Sequence, residues 1–343
     1  MKTPVRFGLL GTGGIAAEVA DALALSNQCV AQSVASREPE RAKSFARRHG
    51  VGYPAATYHD LIVDPNVDVV YVATPHTEHE KWALAAINAG KHVLCEKPIA
   101  ISASGADTVL AAALESGVFV LEAFAYWFHP QTDLLLSLIR DGAVGEVRGV
   151  DVTFSFALAG DGSSYHGLNH LAGGGILDVG CYCTSMAAKI SATAIGQTTV
   201  EPEAVVGLAI FDEIERVDEY STAVLRFPGR ILAKLSCGFR LEQPDVVRVL
   251  GSDGYLETAL PAWLAGHRSD PTWIDVHLPD GDVVRHEIAG GKHIFTREVD
   301  GMVALLNGDP SARAATDAAT LANMRTLDRW RAAVGLRYDF EAM

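Results

Sequence analysis

Three stretches of this sequence place residues where they can do chemistry. The first, "HVLCEKPIA" (92–100), sets Glu96, Lys97 and Pro98 in a row directly after an apolar run. A lysine at the mouth of a buried strand polarises a carbonyl by hydrogen bonding, or withdraws a proton once burial lowers its pKa. In "AGGGILDVGCYC" (172–183), Asp178 and Tyr182 are four residues apart, which on a helix is one face. A tyrosine there gives its proton to a developing alkoxide or takes one from an alcohol being oxidised, and a neighbouring Lys97 would favour the phenolate. The aspartate accepts hydrogen bonds from substrate hydroxyls. In "VRFGLLGTGGIA" (5–16), Gly11, Gly13 and then Ala16 have the G-x-G-x-x-G/A spacing, with Gly14 and Ile15 in the same turn. Small residues at those positions let the backbone approach a pyrophosphate at a helix N-terminus.

These residues need rigid supports, and the hydrophobic pattern supplies them. "VRFGLL" (5–10), "CVAQSVA" (29–35), "VDVVYVAT" (67–74), "HVLCE" (92–96) and "VFVLE" (118–122) read as strands. Helical stretches lie between them, two of them ended by Gly50 and Gly90. Continuous apolar strands alternating with helices predict a parallel sheet buried on both faces. After about residue 145 the rhythm changes to seven strands in close succession, several joined by turn pairs such as Pro228-Gly229, Asp253-Gly254 and Asp280-Gly281. Their alternation of apolar and polar residues predicts an antiparallel sheet. A helix over 177–190 interrupts it, and helices near 293–307 and 316–334 follow. The expected architecture is an α/β Rossmann-type parallel-sheet domain over 1–124, binding a dinucleotide. An α+β domain with a large, mostly antiparallel open sheet follows over 125–343, for substrate binding and oligomerisation.

The bulk numbers restrict the partners. Of 343 residues 49% are hydrophobic and 20% charged, an ordinary globular composition that allows two cores. The formal charge of -14 argues against tracking nucleic acid or an anionic membrane. No apolar run approaches the roughly 20 residues of a membrane span. "MKTPVRFGLLGTGG" shows no cleavable signal pattern. Five cysteines without a C-x-x-C pair fit reduced thiols, and a cytoplasmic location is expected. His76 with His79, and Cys181 with Cys183, lack further ligands at zinc spacing, so no metal is expected.

A dinucleotide site usually ends its second strand in an acidic residue that takes the ribose hydroxyls of NAD. Here the chain reads "VASREPER", with Ser36 and Arg37 in that place and Arg41 a turn later. A hydroxyl and two cations suit a 2′-phosphate, which favours NADP, with NAD the alternative. In open parallel sheets ligands bind outside the carboxyl ends of the strands, and two such ends are unusual: "YVATPHTEH", where Thr74 and Pro75 turn the chain, and "HVLCEKP".

The glycine loop, "ATPHTEH" and "EKP", in this order and spacing, resemble the Gfo/Idh/MocA family, named for glucose–fructose oxidoreductase and inositol dehydrogenase. "EAFAYWFHPQ" and "GGGILDVGCY" are similar to the branch of dimeric dihydrodiol dehydrogenases, NADP-linked xylose dehydrogenases and sugar ketoreductases. The match runs on to "MRTLDRW" and "GLRY". The resemblance implies that Glu96 reaches the nicotinamide-side ribose and Lys97 enters the catalytic pocket, with Thr74, Pro75 and His76 lining the cofactor. His79 is expected to be a structural residue of the following helix. It also makes Asp178 and Tyr182 active-site residues, and implies face-to-face packing of the second sheet into a homodimer or homotetramer. Three departures stand out. Trp127 replaces an arginine of many relatives, "SSYHGLNHLAGGG" lacks an arginine found before the glycines, and Cys183 stands where proline is usual. Trp127 or Tyr126 can stack on a sugar ring, and His166 can supply a polar contact.

The expected activity is transfer of hydride between NADP and a carbinol or carbonyl carbon of a sugar, cyclitol or related polyol. Lys97 and Tyr182 form the acid/base pair and Asp178 orients substrate. Two alternatives are a nucleotide- or sugar-sensing regulator and an NAD-dependent glycosidase with an internal redox cycle.

Overall fold

The structure is a computed structural model, and it describes residues 4–158, 165–259, 263, 270–308 and 310–341. Ser163 and Ser164 of "SSYHGLNHLAGGG", and Leu260 at the end of one expected strand, lie outside the described residues. Contacts divide the chain into two units. One holds Met1–Ala100, Ser104–Phe128 and Lys292–Asp317, and the other Ile101–Ala103, His129–Gly291 and Ala318–Met343.

In the first unit β1 (Val5–Leu10), α1 (Gly14–Ala24), β2 (Cys29–Ala35), α2 (Pro39–His49), β3 (Tyr53–Pro54) and α3 (Tyr58–Ile62) come first. They are followed by β4 (Val69–Val72), α4 (His76–Asn88), β5 (His92–Glu96), α5 (Ala103–Ser116) and β6 (Val120–Ala123). The six strands form one sheet in the order β3-β2-β1-β4-β5-β6, parallel throughout. All four residues of β4 are buried, as a strand covered on both faces requires. Phe7, Leu9, Tyr71 and Leu94 of this sheet share a core with Ala16, Val19 and Leu23 of α1.

In the second unit, α6 (Pro130–Arg140) and β7 (Val147–Ser155) precede a π turn at Ile176–Gly180. It runs directly into α7 (Cys181–Ala194). Next come β8 (Ala204–Phe211), β9 (Asp218–Phe227), β10 (Ile231–Gly238), β11 (Val247–Gly251), β12 (Gly254–Thr258), β13 (Thr272–His277) and β14 (Val283–Ile288). Their order is β14-β13-β12-β11-β7-β10-β9-β8. The pairs are antiparallel except β7 with β10, which run parallel. The chain then adds α8 (Ile294–Leu306) to the first unit, where Val299, Met302 and Val303 join its core at helical spacing. It closes with α9 (Pro310–Val334), whose Trp330 is fully buried in the second unit.

The two faces of the large sheet differ. Val150, Val152, Ala233, Leu235, Leu225 and Val249 are buried on the inner face, together with Ala187 and Ile190 of α7. On the other face one row crosses every strand. Val206 stands opposite Val224, Val224 opposite Lys234, and Lys234 opposite Asp151. Arg248, Glu257, Asp275 and Arg285 continue the row to β14. Lys234 pairs with Asp151 at 2.9 Å, Arg285 with Asp275 at 2.7 Å, and Arg248 with Glu257. At the β8 edge this face turns apolar, with Val206, Leu208 and Ile210 exposed at 69%, 80% and 63%.

Candidate active site

At the carboxyl end of β1 the chain makes a turn that only glycine permits. Gly11 has φ +119, and a Cβ there would lie 2.4 Å from the Ala73 carbonyl oxygen, while its N–H donates to the Ala35 carbonyl at 3.0 Å. Gly13 caps α1 with no side-chain hydrogen bond, and there is no acidic residue in the first turn. A Cβ on Gly13 or Gly14 would meet no heavy atom within 4 Å. The first N–H groups of α1 and the space over these two glycines thus suit an anionic group lying against the backbone. Ile15 follows in that first turn, partly buried.

On the next strand end Ser36 is buried, its Oγ 3.4 Å from Thr12 Oγ1 and accepting the Glu38 N–H at 3.4 Å. Arg37 is exposed, and Arg41 is exposed and pairs with Glu38 at 2.9 Å. After β4, Pro75 caps α4, and Thr74 Oγ1 is buried with no hydrogen-bond partner. His76 is buried at the first position of α4. His79, one turn on, touches two strand ends at once: its ring nitrogens lie 2.8 Å from the carbonyl oxygens of Pro98 and Thr74. Burial lowers its pKa, and the charge of Lys97 adds to that, so the neutral ring donates to one of the two carbonyls at a time.

The β5 end is held from several sides. Tyr71 donates its hydroxyl to the buried Glu96 carboxylate. The Ile99 N–H donates to buried Glu122 at 2.9 Å, and the peptide between Lys97 and Pro98 is cis. Glu298 of α8 is fully buried with neither carboxylate oxygen hydrogen-bonded. Burial, and after it the charge of Glu96, hold its carboxyl well above the usual range, as a neutral acid. Tyr126 is buried in the 3₁₀ turn after β6, and Trp127 beside it is partly buried with its ring 5.2 Å from Phe124.

Asp178 and Tyr182 belong to the second unit, Lys97 to the first. Where a regular helix is expected over 177–190, the chain winds first as the π turn, so the two side chains are carried by a wider coil followed by α7. The glycine turn before it is gripped from two directions. The Ile176 N–H donates to the Asp218 carboxylate at 2.7 Å, and the Tyr338 hydroxyl donates to the Gly173 carbonyl at 2.9 Å. Gly174 has φ +111, and a Cβ there would lie 2.1 Å from Asp218 Oδ1. Asp218 is fully buried, and burial pushes its carboxyl up to about 8 against the opposing pull of the Ile176 and Gly175 N–H donors. Asp178 is buried, with Oδ2 3.4 Å from His166 Nε2. The Tyr182 ring meets Phe154 edge-on at 5.2 Å and Trp263 at 5.5 Å.

Sequence reasoning missed Asp218, Tyr338 and Glu298. Each acts on residues far away in the chain; Asp218 and Glu298 stand in no quoted motif, and the "GLRY" segment that ends in Tyr338 does not show what its hydroxyl reaches.

Comparison with known proteins adds the family. Residues 5–124 match the family model described as an oxidoreductase family with an NAD-binding Rossmann fold, and residues 134–257 match the GFO/IDH/MocA C-terminal domain. The chain is 30% identical to a trans-1,2-dihydrobenzene-1,2-diol dehydrogenase of Danio rerio, covering 98% of each. It is 31% identical to a D-xylose 1-dehydrogenase (NADP(+)) of Haloferax volcanii, over 94% of this chain and 95% of the relative. An aldose-aldose oxidoreductase of Caulobacter crescentus, complexed with glycerol, superposes with a TM-score of 0.82 at 25% identity, over 96% of this chain and 97% of that one. KijD10, a 3-ketoreductase of Actinomadura kijaniata in complex with NADP, shares the fold, with a TM-score of 0.86 at 24% identity over 96% and 98% of the two chains. No helix among the described residues is long and apolar enough to cross a membrane. With the parallel sheet, its open glycine turn and near full-length relatives in agreement, the chain belongs to the GFO/IDH/MocA family of oxidoreductases with an NAD-binding Rossmann fold.

Proposed function

We propose that this oxidoreductase prefers NADP and moves hydride between nicotinamide and a carbinol or carbonyl carbon of a sugar, cyclitol or related polyol. The observation that carries the reading is the turn at Gly13 and Gly14, where no protein atom fills the place of a Cβ and no side chain caps α1. Beside it on the sheet stands the buried Thr74 hydroxyl without a partner. Bound over that turn, the dinucleotide accepts or supplies hydride at C4 of its nicotinamide ring. Gly11, Gly13, Gly14 and Ile15 serve its pyrophosphate, Thr74, Pro75 and His76 line its path, and Glu96 accepts from a ribose hydroxyl. In oxidation, Tyr182 Oη takes the proton of the substrate hydroxyl as hydride leaves the same carbon. The Lys97 ammonium favours the phenolate, and Asp178 accepts from a neighbouring hydroxyl. Reduction retraces these steps. Two relatives are named for D-xylose and for a vicinal diol, and each of these has an alcohol carbon beside a second oxygen-bearing carbon, which suits that division of labour.

The test follows near-ultraviolet absorbance of reduced nicotinamide, with NADP+ or NAD+ offered alongside D-xylose, cyclitols and trans-1,2-dihydrobenzene-1,2-diol. Growth of NADPH is expected. Silence across the panel with nucleotide still tightly bound would sink the dehydrogenase in favour of a sensor. Cleavage of a glycoside without net reduced cofactor would point to the closed redox cycle. Cofactor choice rests on Ser36 with Arg37, and with Arg41 to the extent that Glu38 releases it. Arg37→Ala should raise KM for NADP+ by about tenfold or more, the worth of a charge-assisted hydrogen bond, and leave KM for NAD+ unchanged. Equal effects on the two cofactors would remove Arg37 from the 2′-phosphate site.

The outer face of the large sheet is proposed to meet a second copy of this chain. A two-fold interface must be self-complementary, and the row from Lys234 to Arg285 holds three cations and three anions with no net charge, beside an exposed apolar edge at Leu208. The parent protein should sediment as two chains of 36.5 kDa or a multiple of two, and Leu208→Arg should shift it towards one. A parent that sediments as a single chain ends the idea.

A further inference from the structure

We infer that His166 is the positioning partner of Asp178, so that the substrate-orienting acceptor is a His166–Asp178 pair rather than a lone carboxylate. The inference rests on the reading of Asp178 as the residue that orients substrate hydroxyls. Its foundation is the way the chain doubles back. The Gly174 N–H donates to the His166 carbonyl at 2.8 Å and the Gly173 N–H to the Leu168 carbonyl at 3.0 Å. A Cβ on Gly173 would lie 2.4 Å from the His166 carbonyl oxygen. The glycines of "GGGILD" therefore let the segment carrying His166 lie directly against the turn that starts the coil of Asp178.

The side chain completes what the backbone begins. His166 Nε2 is 3.4 Å from Asp178 Oδ2, with the two side chains 15% and 4% exposed. The imidazole is fixed in plane by its neighbours: it stacks on Tyr165 at 3.9 Å and 29°, and meets Phe156 edge-on at 5.6 Å. A carboxylate this buried loses most of its hydration, and a fixed imidazole at its outer oxygen replaces part of it and holds the rotamer. His166 thereby fixes the rotamer in which the Asp178 carboxylate meets a hydroxyl-rich substrate. Asp218 and Tyr338 hold the same glycine turn independently of His166, so substitutions at 166 are expected to fold.

A double-mutant cycle tests the pair without substrate. Melting temperatures are measured for the parent, His166→Ala, Asp178→Ala, which leaves no acceptor, and the double variant. The expected result is a double variant no less stable than the worse single one, because the second change removes an interaction already lost. Losses that simply add would overturn the inference. Steady-state kinetics with NADP+ and D-xylose or trans-1,2-dihydrobenzene-1,2-diol then reads the consequence. His166→Ala should lower kcat at least about tenfold, with KM for NADP+ unchanged, and His166→Gln, which keeps an N–H donor, should recover most of it. A residue that mattered only for folding would leave the Ala and Gln variants alike, and that result, or parental kcat in His166→Ala beside an impaired Asp178→Ala, would also overturn it. Parental kcat in Asp178→Ala would instead remove the reading on which the pair rests.

Discussion

Lys97→Ala is expected to lower kcat by about a thousandfold, the middle of the range for loss of a positioned acid or base, while NADPH binding weakens by less than about tenfold. The separation of the two effects follows from how the strand end is built. Glu96 is fixed by Tyr71, Ile99 by Glu122, and the Pro98 carbonyl lies against His79, none of which needs the Lys97 side chain. Removing it leaves these three contacts in place and takes away the ammonium with its aliphatic stem. Lys97→Arg sharpens the result. An arginine keeps the positive charge but does not give up a proton at ordinary pH. If Lys97 acts only by polarising the oxygen or favouring the Tyr182 phenolate, the arginine variant should recover part of the rate. If it passes a proton, that variant should stay as slow as Lys97→Ala. Fluorescence titration of NADPH, run beside the absorbance assay, keeps binding and turnover apart. A parental rate in Lys97→Ala would remove the residue from the chemistry altogether.

The parts of this protein that were legible in its sequence are those whose signal is local. The parallel sheet shows as continuous apolar strands because both its faces are covered, and Gly11 shows because a positive φ and a close approach to Ala73 admit no side chain. β8 was not among the expected strands. Val206, Leu208 and Ile210 are exposed yet apolar, so the alternation that marks a one-sided strand is absent there. The parallel pairing of β7 with β10 was also invisible, because neighbours that meet after intervening strands leave no turn signature. α8 reads as a helix of the second half, and only its contacts with α1 show that its apolar face belongs to the first unit. Around the candidate site the same rule holds. Lys97, Asp178 and Tyr182 stand in short motifs, whereas Asp218 reaches Ile176 across 42 residues and the π turn has no sequence signature. Chemistry that depends on one stretch is readable in one stretch. Support that arrives from another strand is not.

Asp218 is the case where that hidden support yields a large effect of defined sign. In the unfolded chain its carboxyl loses its proton near the ordinary 3.8, whereas in the folded protein it keeps the proton up to about 8, chiefly because it is buried. Between those pH values unfolding releases a proton, so raising the pH favours the unfolded chain. The stability contributed by the neutral carboxyl is complete below about pH 4, falls steadily as pH rises, and levels off above about pH 8. At about 1.4 kcal/mol for each pH unit across that interval, the ceiling is on the order of 5 kcal/mol. Asp218→Asn copies the neutral acid, with one acceptor for the Ile176 N–H and no proton to lose. It should melt close to the parent at pH 5 and at least about 5 °C above it at pH 9, the gap widening through the interval and then holding constant. A gap that stays flat from pH 5 to 9, or that reverses, would mean that Asp218 is ionised in the folded protein and held so by the Ile176 and Gly175 N–H groups. The outcome bears on the site itself. Cys237 lies within electrostatic reach of both Asp218 and Asp178, and after burial those two carboxyls are among the causes that raise its thiol pKa. A neutral Asp218 holds the glycine turn that precedes Asp178 by hydrogen bonding alone.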